Sequence, residues 1–436
     1  MQLDVRLEGF DEPIGQLSSS WATGATAFAY AGDYVVRSDA LPLSMALPLG
    51  QEAFVDYATR AYFDNLLQER DTARADVIAK YRLANDDIVG ILAHLGKDCA
   101  GAVSVLPEGS PPTKVPGRLG HDYRPYADDE VAAIVQALYR REPLPQELVD
   151  PSPLAGVQSK IAITVLPDGR YAEPIAGAPT THILKVPQER HERDAMREHA
   201  GMKASTAAGF ETAPTSLVEI GGIPALLVER FDRRVEEGIV TRVHQEDFCQ
   251  ALGLPARHKY QRPERGANGF NVPAIRNILD RTIDPAGERI KFVHVTLFDI
   301  LLGNVDGHAK NFALFHLPGG RIRTTPRYDV MPTMLDLRTT DEFAYYLGSA
   351  KTLKELDQAA LDQFMIDLGF ASAAGRKRVV GAALAEIIEV LNREIEAVEY
   401  DDKNFADLIG SNIRTLCANL GLPAPILSRG RDTFVR

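Results

Sequence analysis

Cysteine is scarce in this chain: three among 436 residues, Cys99, Cys249 and Cys417, far apart and forming no CxxC pair. That argues against a disulfide framework or a thiolate metal site and predicts buried, reduced thiols. Long apolar runs are also lacking, since none approaches the ~20 residues of a membrane helix. The opening stretch MQLDVRLEGF alternates like a strand and lacks the charged-then-apolar form of a signal peptide. Together these absences predict a cytoplasmic protein. A basic surplus is missing too. With 48 Lys and Arg against 60 Asp and Glu, the formal charge is -12, which argues against a nucleic-acid surface spread over the whole molecule. The basic run Arg376-Lys377-Arg378 reads as a solvated helix face. No repeat or low-complexity tract is visible. What is present is ordinary for a globular protein, 45% hydrophobic and 25% charged, with length enough for two or three domains.

The informative stretch is LLGNVDGHAKNF, residues 301–312. An apolar run, 292–302, ends in a polar loop in which Asp306 and Asn311 stand five apart, and Asp329 follows after a short extended segment. Phosphoryl transfer from ATP needs a carboxylate to orient the attacking hydroxyl and oxygen ligands for magnesium. Protein kinases place an Asp and an Asn at this spacing in one loop and complete the metal site with a later Asp. The pair alone would read as ordinary turn residues. Its position where a loop leaves a helix-like run and enters the strand-like segment 312–315 supports the catalytic reading.

Taken in order, residues 1–108 read as an α/β unit, with strands at 1–7 and 25–30 and helices at 51–68 and 87–94. His94 lacks a second ligand at helical spacing and reads as a packed or surface residue. Proline-rich stretches at 107–118 and 143–153 punctuate the chain, with a helix at 129–140 between them. A hairpin and returning strand follow over 154–187, turning at Pro167-Asp168-Gly169. Gly156 before one strand and Lys185 in a later one stand in the order of a phosphate-covering loop and a phosphate-pairing lysine. Residues 190–208 form a helix in which Glu198 either holds that lysine or lies exposed among charges. The strand at 226–228 runs into Glu229-Arg230-Phe231-Asp232-Arg233, a candidate hinge beside adenine and ribose or a plain strand end. From 246 onward the chain reads as mostly helical, with helices at 246–252, 272–281, 290–302, 353–369, 373–399 and 403–420 and a loop at 262–271.

Several pieces together resemble the HipA family of bacterial serine/threonine kinases, toxins of HipBA-type toxin–antitoxin systems. They are LPLSMALPL, YFDNLLQER, LGKDCAGAVSVLPE, AGVQSK, PTTHILKVP, VERFDRR, HQEDFCQALG, GNVDGHAKNF and YDVMPT, spread over about residues 1–340 in the family's order. The resemblance implies an α+β, protein-kinase-like bilobal fold with an extra N-terminal α/β subdomain, divided as 1–145, 146–232 and 233–436. It implies ATP and Mg2+ as cofactors and Asp306 as catalytic base, with Asn311 and Asp329 as magnesium ligands. Lys185, Glu229, Phe231, Asp232, Gly156, Val157, Gln158, Ser159, His308 and Lys310 would be the nucleotide-binding positions. It further implies a protein substrate such as an aminoacyl-tRNA synthetase and a HipB-like DNA-binding antitoxin that makes most of any DNA contact. One departure stands out: the serine that family members often autophosphorylate is Pro153 here, leaving Ser152 or Ser159 to take that role. Two other functions remain open on the sequence. One is a small-molecule phosphotransferase of the aminoglycoside-kinase type, although those usually carry a His where this chain has Asn304. The other is a catalytically silent co-repressor, against which the intact Asp306, Asn311, Asp329 and Lys185 argue.

Overall fold

The computed structural model describes residues 1–20, 23–67, 72–142, 144–145, 159–262, 269–399, 402–423 and 425–427. Backbone contacts divide the chain into two units. The first comprises residues 1–195, 215–256 and 313–323, and the second comprises 196–214, 257–312 and 324–436.

The first unit is built on antiparallel sheets. Five strands lie in the order Phe54–Val55, Thr26–Tyr30, Gly15–Ser19, Gln2–Leu7, Val103–Pro107. Alternation in the first strand sends Leu3, Val5 and Leu7 into a core shared with Tyr62, Phe63, Ile88 and Leu92 of two helices, Tyr57–Asp64 and Ile88–Leu95. Asp4 and Arg6 face the other way yet are also buried. Main chain meets some of their polar atoms: Asp4 accepts from Gly109 N at 2.9 Å, and Arg6 donates to Asp11 O at 2.9 Å and Ser110 O at 3.1 Å. The helix expected over 51–68 is shorter than its apolar spacing suggested. Phe54 and Val55 are taken as an edge strand against Phe28 and Ala27, and cross-strand pairing outcompetes the start of the helix.

A second sheet has six strands in the order Thr215–Ile220, Ile223–Glu229, His182–Lys185, Lys160–Val165, Tyr171–Pro174, Tyr123–Pro125. The helix Asp128–Arg140 covers one face, burying Ile134 and Val135 against Ile161, Ile163, Leu184, Ala225 and Leu227. Gly221 and Gly222 turn the outer hairpin in two residues, both at positive φ (60° and 77°), which a two-residue hairpin of this hand requires. Residues 246–252, read as a helix, divide into the strand Gln245–Asp247 and a four-residue helix, Phe248–Ala251. The strand pairs with Ala313–Leu317, and Asp247 caps the short helix by accepting from Gln250 N at 2.8 Å.

The second unit is helical. Its axis is Pro285–Leu302, which buries Phe292, Val293, Val295, Leu297, Phe298 and Ile300 to Leu302 and packs against Ala373–Glu399 and Lys403–Asn419. Asp284 caps its start through Gly287 N at 3.0 Å, with proline in the first turn. Gly303 ends it in the left-handed conformation, φ 86°, where a Cβ would stand 2.5 Å from Leu408 Cδ2. The helix expected at 353–369 begins later, as Gln358–Asp367, capped by Asp357. No described helix is long and apolar enough to cross a membrane, and Cys99, Cys249 and Cys417 are buried and form no disulfide.

Candidate active site

The loop after Gly303 is held by its own polar side chains. Asn304 receives the Asp306 N–H on Oδ1 at 3.3 Å and donates from Nδ2 to Asp299 Oδ1 at 3.2 Å. Val305 N donates to Thr333 Oγ1 at 3.1 Å, and Met334 N to Gly303 O at 3.0 Å, which ties the loop to the segment after Asp329. A tight turn then forms: His308 N donates to Asp306 O at 2.7 Å and Asn311 N to His308 O at 2.8 Å. Across it the Asn311 side chain donates from Nδ2 to Asp306 O at 2.8 Å. With that amide N–H engaged, Oδ1 is the atom by which Asn311 can serve as a metal ligand. Asp306 and Asn311 are thus brought into direct contact and both are half-buried.

Asp329 is delivered by a separate route. Arg327 lies against the edge-packed rings of Phe210 and Phe298, 5.2 and 5.1 Å from their centres, and its guanidinium binds Asp299 and, at 3.1 Å, Ser205 Oγ. Burial raises the Asp299 carboxyl while Arg327 opposes the shift. Tyr328 then donates its hydroxyl to Lys310 O at 2.7 Å, so the residue beside Asp329 is fastened to the same loop. Asp329 has φ 59°, a left-handed conformation that Asp tolerates better than most side chains. Gly201, in the helix Arg193–Ala207, makes room for this segment, because a Cβ there would lie 2.3 Å from Val330 O.

His308 is buried, and its Nδ1 has no hydrogen-bond partner among the described residues. Burial, with Lys259 nearby, pushes its pKa down to about 3, against an upward pull from the Asp329 charge. Burial thus favours the neutral imidazole. Lys310 is half-buried, and Glu198 is buried in its helix, so the exposed alternative for Glu198 does not hold.

Lys185, Glu229, Phe231 and Asp232 belong to the first unit. Lys185 sits in a central strand, paired with Lys160 on one side and Leu226 on the other, and at 8% exposed it does not point into solvent. Glu229 is exposed, and Phe231 packs edge-on against Phe315 at 5.8 Å. Asp232 is buried and its carboxylate is already occupied. Arg230 donates to both oxygens at 3.0 Å, and Arg233 stands 2.9 Å from Oδ2. Burial alone would raise its pKa, but the two guanidiniums outweigh that and hold it far below the usual carboxylate range. Gly156, Val157, Gln158, Ser152 and Pro153 lie outside the described residues, as does most of the 262–271 loop. Ser159 is described, its carbonyl accepting from Val186 N at 2.9 Å.

Sequence reasoning passed over Tyr260, whose hydroxyl donates to Asp306 Oδ1, and over Asp299 and Arg327. Asp299 carried a usable signal, a lone carboxylate inside the apolar run LFDILL; Tyr260 carried none.

An Asp and an Asn linked at five-residue spacing, with a third acidic group fastened to their loop, is the site of a kinase. Comparison with known proteins agrees with that class. Residues 152–397 match the HipA-like C-terminal domain and residues 3–106 the HipA N-terminal domain. A putative kinase, Y4mE, of Sinorhizobium fredii is 33% identical over 389 residues, covering 86% of this chain and 90% of that protein. The serine/threonine-protein kinase toxin HipA of Shewanella oneidensis is 29% identical over 404 residues, covering 87% and 88%. The Shewanella oneidensis HipA structure, in a complex of HipA, HipB and operator DNA, shares the fold with a TM-score of 0.75 over 96% of each chain at 24% identity. The chain belongs to the HipA family and is a serine/threonine kinase of that type.

Proposed function

We propose that this kinase is the toxin of a HipBA-type module, transferring the γ-phosphoryl group of ATP to a serine or threonine of a protein, with a component of translation such as an aminoacyl-tRNA synthetase as the substrate class. Asp306 orients the acceptor hydroxyl and takes its proton as the oxygen attacks phosphorus and the bond to ADP breaks. Asn311 and Asp329 supply one amide and one carboxylate oxygen, a donor set that suits magnesium with its remaining positions filled by water and phosphate. Bound there, magnesium would neutralise charge on the phosphates. Lys185 pairs with phosphate oxygens, and main-chain groups of Glu229 and Phe231 read the nucleotide. In this reading the Asp232 carboxylate stiffens the segment through Arg230 and Arg233. A HipB-like DNA-binding antitoxin is the proposed partner, carrying most of the DNA contact.

The observation that carries the reading is the bond from Asn311 Nδ2 to Asp306 O, which fixes base and metal ligand relative to each other. Incubating the purified chain with labelled ATP and magnesium in lysate of its own host, beside Asp306→Gln, tests it. The expected result is a labelled protein band that disappears with the variant, by a factor of about 10²–10⁴ in rate, while ATP binding persists. Equal labelling by both chains would refute the assignment of Asp306.

A further inference from the structure

The segment 259–262 runs beside the 303–312 loop as a strap fastened on two sides. On one side Ala309 N donates to Lys259 O at 3.0 Å. On the other, Gln261 N donates to Ala344 O at 2.8 Å, Gln261 Oε1 accepts from Tyr346 N at 2.8 Å, and Arg262 donates to Phe343 O at 3.3 Å. Between these anchors stands Tyr260. Its hydroxyl donates to Asp306 Oδ1, and its ring lies edge-on to His308 at 5.0 Å and 77°. The Arg262 guanidinium is 4.9 Å from the ring centre and the Lys259 ammonium 5.6 Å.

We infer that Tyr260 is a positioning residue for phosphoryl transfer, acting through Asp306; the inference rests on the reading of Asp306 as the base. A carboxylate on a single methylene has a broad torsional well at its terminal bond. A base whose oxygen drifts by about 1 Å from a reacting hydroxyl loses on the order of 10²-fold in rate. The phenol holds one oxygen of Asp306 in place, and a charge-assisted bond of this kind is stronger than a neutral one. The cations against the ring draw electron density from the phenol and make it a better donor. His308, buried, supplies a packed surface on which the ring rests.

Tyr260→Phe removes one oxygen and keeps the ring. Its kcat for the labelled protein substrate should fall about 10- to 100-fold, with the KM for ATP and the melting temperature unchanged. Introduced into Asp306→Gln, the same substitution should produce no further loss, because a group that acts through Asp306 has nothing left to position. An Asp306→Gln chain without activity beside a Tyr260→Phe chain of wild-type kcat would overturn the inference and leave the base assignment standing. A rise in kcat would overturn it too, by showing that the phenol blocks the base. Parallel losses of kcat, ATP affinity and melting temperature, repeated in full in the Asp306→Gln background, would mark Tyr260 as merely structural. Normal turnover by Asp306→Gln would remove the base reading itself.

Discussion

Asp306 and Asp329 are both half-buried carboxylates within reach of one loop, yet their surroundings prepare them for different work. Asp306 takes hydrogen bonds on its carboxylate from a phenol and on its carbonyl from Asn311, a restriction that suits the base it is proposed to be. Asp329 is set by its backbone, in a left-handed conformation next to a tyrosine tied to Lys310. If it binds the metal, Asp329→Asn keeps the shape and removes the charge that a hard cation prefers. ATP affinity measured with magnesium should drop about tenfold or more, and affinity without magnesium should change little. Equal ATP affinity for variant and parent in magnesium would rule out that role.

Among elements, the close approach of the helix Arg193–Ala207 to the 329–331 segment depends on one missing side chain. Gly201→Val would push its Cβ into Val330 O, 2.3 Å from where that atom would stand. Overpacking of this kind costs about 1–3 kcal/mol, measurable by urea denaturation. Because the displaced segment carries Asp329, magnesium-dependent ATP binding should weaken beyond what the lost stability explains.

A second element-level effect belongs to the first unit. His244 is buried, its Nε2–H donating to Leu43 O at 2.9 Å, and its ring stacks on His316, which contacts the buried Glu246 at 2.8 Å. Burial, with the His316 charge adding to it, lowers the His244 pKa to about 3 from an ordinary 6.5. Below pH 6.5 the unfolded chain therefore binds a proton at this position that the folded chain refuses. Stability from this group is complete above pH 6.5 and declines as pH falls toward 3, by at most about 1.4 kcal/mol per pH unit. Denaturant midpoints across this window should fall less steeply for His244→Gln than for the parent. Coincident slopes would show that other groups dominate acid unfolding.

For the whole molecule the net charge decides what kind of partner can sit on DNA. At -12, the chain lacks the basic surplus that phosphate neutralisation requires. The protein alone should show no shift of operator DNA at 150 mM salt, and a shift should appear once a HipB-like partner is added. Binding of the isolated chain at that salt would contradict the proposed division of labour.

The helical part was legible because its signal is local. Apolar residues at three- and four-residue spacing in 373–399 and 403–420 gave Ala373–Glu399 and Lys403–Asn419 almost to the residue, and the loop of Asp306 and Asn311 was framed correctly between a helix and a strand. Pairing partners were not legible. Residues 246–252 carry helical spacing, yet 245–247 form a strand because a chain segment some seventy residues away offers its backbone, and a sheet edge captured Phe54–Val55 in the same way.

The sequence by itself determined the family, the kinase chemistry and the spacing of Asp306, Asn311 and Asp329, since these are written in consecutive or nearby residues. Tertiary structure alone decided what surrounds them. It drew Tyr260 from forty-six positions away onto Asp306, set Arg327 against two packed rings to hold Asp299, and buried Asp232 with two arginines. Such contacts depend on which faces meet once the chain is packed, and a buried charge finds its partner only there.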